Sequence, residues 1–208
     1  TMAATGLRAD LYRADLSGLQ LRNKALASLN LRSANLTGAD LSGSTLTGAT
    51  LAGADLTNAT VVSAILTGAN LTGANLTSSN LASSNLSSTN LTGADLTNAT
   101  ATSVNLTGAD LTDANLTSAD LTNATISSAR LLRTNLTDAD LSSVTGTSAI
   151  LTSVAATGSS LTFANLTGST LLHGSFAGAN LLMVHFDTAT ITNTDFMNAT
   201  GPYTTWTS

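Results

Sequence analysis

The sequence repeats every five residues, and that period excludes most of the ways in which a chain of 208 residues can fold. From Leu11 to Phe196 one apolar position recurs 38 times, 29 of them as Leu. The exceptions are Val61, Ala101, Ile126, Gly146, Ala156, Phe176, Phe186, Ile191 and Phe196. Two residues earlier, 22 of the 38 positions are Ala. The frame never slips, which leaves no room for an inserted loop. A period of five matches neither the 3.6 of an amphipathic helix nor the 2.0 of a long strand. It fits a short extended segment followed by a corner. Along the segment, alternation puts Ala and Leu on one side and the intervening Asp or Asn on the other. The corner pairs Thr or Ser with Gly, Ser or Asn, and the second set tolerates unusual backbone angles. Such a unit cannot bury a face alone, so the units must coil and stack.

Composition supports an ordered but unusual core. Hydrophobic residues make up 42% of the chain, yet aromatics only 3%, so the interior is built from uniform Leu and Ala. Charged residues are 9%, against the low hydrophobicity and high net charge of a disordered chain. There is no Cys, which removes disulfides and thiolate metal sites. No stretch approaches the roughly 18 to 20 apolar residues of a membrane span. Thr1 precedes Met2. The chain is expected to be cytoplasmic if Met2 is the native start, and a secreted fragment otherwise.

Read in fives, the chain runs Ala14-Asp15-Leu16-Ser17-Gly18, Ala34-Asn35-Leu36-Thr37-Gly38, Ala54-Asp55-Leu56-Thr57-Asn58 and Ala94-Asp95-Leu96-Thr97-Asn98. Over residues 9–200 it resembles the pentapeptide-repeat family, whose pattern is A-(D/N)-L-x-x. The resemblance implies an all-β fold: a right-handed quadrilateral parallel β-helix, a solenoid with four pentapeptides per coil. Leu36, Leu56, Leu76, Leu96, Leu116 and Leu136 would form one inward ladder. Residues 1–8 are expected as an N-terminal tail or cap, 9–200 as one uninterrupted β-helix, and 201–208 as a C-terminal cap. At the strand spacing of ~4.8 Å, about nine to ten coils would stand roughly 45 Å tall. The resemblance implies a bacterial source and no general enzymatic chemistry. The best-known members protect or inhibit bacterial type II topoisomerases by imitating the charge and shape of DNA.

The irregular residues test a 20-residue coil. Arg130 then lies over Asp110, and Arg133 over Asp113, which predicts two surface ion pairs worth ~0.2 to 1 kcal/mol each. Phe176 lies over Ala156, beside Gly174, as volume compensation in a close-packed interior. Gly146 and Ala156 are bracketed by Val144 and Val154. Lys24 falls on an inward position, where an unpaired ammonium is costly, so the first coil is expected to be an imperfect cap that lets it reach solvent.

The surface offers no catalytic constellation. His173 and His185 read as solvated, Asp120 beneath Asp140 is a weak like-charge pair, and no metal or cofactor is expected. Three features rise above background. Thr37, Thr57, Thr77, Thr97, Thr117, Thr137 and Thr157 form a hydroxyl ladder beside Asn35, Asp55, Asn75, Asp95, Asn115 and Asn135. The ladder suits an exposed scaffold corner; an ice-binding surface is the sharper alternative. Phe163, Met183 and Tyr203 share a column beside Leu182 and Pro202, with Leu172, Met197 and Trp206 adding apolar surface. A stripe of this kind marks an interface, and a homodimer through the C-terminal end is expected. Finally, residues 1–33 carry a net +3 and the remainder −8. Tyr12 lies under Arg32, a candidate cation–π contact. A basic foot without interleaved aromatics predicts no direct nucleic-acid binding. The function expected is a structural or protein-interaction scaffold with an unknown protein partner. A DNA-mimic acting on DNA gyrase is the alternative, and its dense negative charge is thin here.

Overall fold

The computed structural model describes residues 10–202. Each extended segment pairs in parallel with the segment 20 residues further on, from Asp10 with Asn30 up to Asn180 with Thr200. Four segments therefore complete one turn of a square coil, and about nine and a half coils stack at the ~4.8 Å strand spacing. Three segments pair over enough residues to count as strands: β1 (Ile150–Thr152), β2 (Thr170–Leu172) and β3 (Thr190–Thr192). They form one parallel sheet in the order β1-β2-β3 with the same 20-residue register.

The unit that starts at Leu36 shows how five residues satisfy their backbone. Leu36 N donates to Asp55 O at 2.7 Å, Gly38 N to Thr57 O at 2.9 Å, and Asp55 N returns to Ala34 O at 2.9 Å. Ala39 N closes the corner onto Leu36 O at 2.9 Å. That corner needs φ > 0 at its third residue and not at its second, which defines a type II turn. The left-handed position falls at every residue numbered 3 or 8 in its decade from Arg13 to Asn198, with φ between 50° and 70°. The preference for Gly, Asn and Ser there is thus a backbone requirement.

Inside, Leu36, Leu56, Leu76, Leu96, Leu116 and Leu136 are at most 2% exposed. Each such Leu contributes about 1.5 to 3 kcal/mol through burial. Phe176 is fully buried over Ala156, and a Cβ added to Gly174 would stand 3.4 Å from the Phe176 ring. At Gly146 an added Cβ would lie 2.7 Å from Leu166 Cδ2 and 3.0 Å from Ile126 Cγ1. The two residues of its own column, rather than Val144, occupy the space. Towards the C-terminal end the filling turns aromatic. Phe176 stacks on Phe196 with centroids 5.4 Å apart, and Phe186 meets Phe196 edge-on at 6.3 Å.

The first coil is looser. Leu11, Leu16, Leu21 and Leu26 are only half-buried, and Leu19 and Lys24 are exposed. The Lys24 amide donates to Ser44 Oγ at 3.0 Å, and that hydroxyl donates in turn to Leu21 O. The Ser44 hydroxyl thus bridges the two groups that elsewhere close the corner directly.

Candidate functional site

With a filled interior, the outward positions are what the chain presents. On the face holding Asp55, Asn75, Asp95, Asn115 and Asn135, the Asx side chain accepts from the amide two residues on, as in Thr77 N to Asn75 Oδ1 at 3.0 Å. The Thr hydroxyl donates to the same oxygen, at 2.7 Å from Thr77. The Asn of the coil above then donates back: Asn75 to Thr57 at 2.9 Å, Asn115 to Thr97 at 2.8 Å, Asn135 to Thr117 at 2.9 Å. The run breaks between Thr77 and Asp95, because a carboxylate has no proton to donate. It ends above Thr137, where Ala155 takes the Asx position. Thr157, at the top of the column, is exposed. These hydroxyls are mostly engaged within the protein. The Thr57 hydroxyl and amide, at 2.5 Å and 2.9 Å, hold the Asp55 carboxyl below its ordinary range.

Of the two expected ion pairs, the structure forms one. Arg133 grips Asp113 with both ends of its fork, Nε to Oδ1 and Nη2 to Oδ2, each at 2.6 Å. The contact lowers the Asp113 pKa and raises that of Arg133. Arg130 does not pair with Asp110, although the two are bridge partners. The Asp110 carboxylate turns back to Thr112, taking its amide at 2.9 Å and its hydroxyl at 2.5 Å, and Arg130 Nε reaches Thr112 Oγ1 at 3.3 Å instead. The local Asx contact outcompetes a solvated ion pair. The pair missed from the sequence is Arg22–Asp40, with Nε–Oδ2 at 2.6 Å, across an offset of 18 residues rather than 20. Asp40 is nearly buried, and its pKa is lowered by the Ser42 hydroxyl and amide and then by Arg22. Tyr12 likewise stacks with its chain neighbour Arg13, at 5.0 Å, rather than with Arg32.

At the C-terminal end Phe163 and Met183 sit one above the other, 52% and 40% exposed. Both occupy left-handed corners, with φ of 60° and 55°. Leu182 beside them is half-buried and Pro202 exposed, while Met197 stands 63% exposed on another side. Tyr203 and Trp206 lie outside the described residues. His173 is exposed, and His185 Nδ1 is 3.7 Å from Asp187 Oδ2. Among the described residues no three His, Asp or Glu side chains come close enough to share a metal ion. None of the described residues forms a helix long and apolar enough to cross a membrane.

The fold class is that of a four-sided β-solenoid, and family comparison agrees. Eight copies of the pentapeptide-repeat model match residues 26–61, 64–100 and 105–142, so the chain belongs to the pentapeptide-repeat family. It is similar in structure to HetL, a pentapeptide-repeat protein involved in heterocyst differentiation regulation in the cyanobacterium Nostoc sp. strain PCC 7120. The TM-score is 0.84 at 24% identity, over 92% of this chain and 89% of that one. It is also similar to a trypsin-treated variant of QnrB1, a plasmid-mediated fluoroquinolone resistance protein, with a TM-score of 0.57 at 21% identity, over 80% of this chain and 83% of that one. These neighbours are right-handed β-helices, and this chain shares their fold. No curated protein matches its sequence.

Proposed function

We propose that the protein is a non-enzymatic interaction scaffold that self-associates through the apolar corner at its C-terminal end. The carrying observation is the pair Phe163 and Met183, large exposed side chains on corner positions that elsewhere favour Gly, Ser or Asn. A bulky residue in the left-handed region costs backbone energy, and neither side chain is buried within the chain to offset it, so an interface is the use that does. Sedimentation equilibrium tests this. The wild type should be dimeric and Phe163→Ser/Met183→Ser monomeric with an unchanged far-UV spectrum, since Ser is common at these corners. A monomeric wild type, or a double variant that stays dimeric, ends the proposal.

A second reading is action on DNA gyrase as a mimic of DNA, which the likeness to QnrB1 suggests. It draws on the acidic body, ten Asp against two Arg after residue 33. That charge is sparse over so many coils, and it is absent from one face between Ala25 and Gly168. A gyrase supercoiling assay with and without fluoroquinolone decides it: no effect removes the reading.

A further inference from the structure

The charges are not spread evenly around the square. From Ala25 to Gly168, the face whose outward residues are numbered 25, 45, 65 and onward carries no Asp, Arg, Lys or His, corners included. Over the same span Arg32, Asp40, Asp55, Asp95, Asp110, Asp113 and the later charged residues all fall on the other three faces. The chemistry of this face differs in a second respect. Thr57, Thr77, Thr97, Thr117 and Thr137 on the ladder face all donate to their Asx neighbours. On the uncharged face only Thr107 does so, to Asn105 at 2.6 Å, while Thr67 meets Ser87 and Thr147 meets Ser127, and Thr45, Thr47, Thr125 and Thr145 make no side-chain hydrogen bond within the protein. Thr145 is exposed and Ile65 is 42% exposed, so methyl groups stand among the hydroxyls and amides of this face.

These hydroxyls sit on a rigid grid. The coil register is unbroken and every corner has the same backbone sign. Rungs repeat at about 4.8 Å along the axis, and the two outward columns stand about 6.6 Å apart, two strand residues. Both lengths are comparable with the cell edges of hexagonal ice. A charged side chain would draw water into its own radial shell. A neutral array of hydroxyls, amides and methyls on a regular backbone leaves the first water layer free to adopt a lattice. Dimerisation through this face is a poor alternative. About 35 Å by 10 Å gives roughly 350 Å² per copy, under half of the ≈ 800 Å² per partner of a stable interface.

We infer that this uncharged face, and not the Thr ladder of residues 37–157, binds the surface of ice. The test is thermal hysteresis and ice-crystal shaping with the intact chain. The wild type should hold crystals within a freezing gap that widens with concentration. Thr125→Lys/Thr145→Lys should lose most of that gap, and Thr97→Lys/Thr117→Lys on the ladder face should keep it, both with wild-type far-UV spectra. If the first pair fails to fold, Thr145→Lys alone, at an exposed position, should reduce the gap at least twofold. Normal crystal growth with the wild type overturns the inference, as does equal loss in the two pairs or loss only in the ladder pair.

Discussion

At Gly146 the absence of a side chain is itself a packing element. Leu166 and Ile126 close over it from above and below, and a methyl group there would overlap Leu166 Cδ2. Gly146→Ala should therefore destabilise by about 1 to 3 kcal/mol in urea unfolding, the usual range for overpacking. Leu166→Ala in the same chain should restore part of that loss, giving a double-variant cost below the sum of the two. The leucine ladder was legible because one column obeys one period. The volume exchange at Gly146 was only half legible, since the sequence shows that space is missing without showing which neighbour fills it. Arg130 was misread for a related reason. A 20-residue spacing identifies who stands above whom, but a short Asp prefers the amide and hydroxyl two residues along its own chain.

The carboxylates give a residue-scale pH dependence with a definite sign. Asp40, Asp55 and Asp113 have folded pKa values below the ordinary value. The unfolded chain therefore binds protons first as pH falls, near ~3.9. Their stabilisation is fully present above that pH and is lost as pH falls through the lower folded values. Melting temperature should be flat from about pH 7 to 5 and drop below about pH 4. Asp55→Asn should make the drop shallower, and a drop already under way at neutral pH would contradict this assignment.

At the scale of the elements, the side-chain ladder is a set of hydrogen bonds whose continuity depends on Asn rather than Asp. Asp95 interrupts it because Thr77 receives no donor from above. Asp95→Asn should supply one, as Asn75 does to Thr57 and Asn115 to Thr97. The expected gain is about 0.5 to 1.5 kcal/mol, the net value of one hydrogen bond, and Asn115→Asp should cost a similar amount. Equal midpoints for the three proteins in urea would show that the ladder adds nothing to stability. The alternation of Asn and Asp was visible in the sequence, but its consequence was not, because the direction of each bond depends on which group owns the proton. The strands were also beyond the sequence. The corners after Leu131, Leu151, Leu171 and Ile191 lack the closing i→i+3 bond found at Leu36, and three of them coincide with β1, β2 and β3. Thr134, Val154 and Thr194 take the inward corner position there in place of Ala, and the Thr134 and Thr194 hydroxyls donate to Leu111 O and Leu171 O one coil below.

For the whole molecule, each coil contacts only the coils above and below, so stability is close to a sum of coil and neighbour terms. Residues 85–104 form one complete turn, and removing them joins Ser84 to Asn105. Asn105 then takes over the pairing that Asn85 makes with Ile65. No column changes face, the Phe176–Phe196 stack is untouched, and both the ladder and the uncharged face are shortened by one rung. The deletion variant should unfold in a single transition, with a denaturant slope lower by about a tenth, because that slope scales with the surface exposed on unfolding. Its midpoint should move little, since stability and slope shrink together. Two separate transitions, or a slope reduced far beyond one coil's share, would show that the coils below and above the cut do not dock in register. The square stack would then owe its cooperativity to something other than the 20-residue repeat.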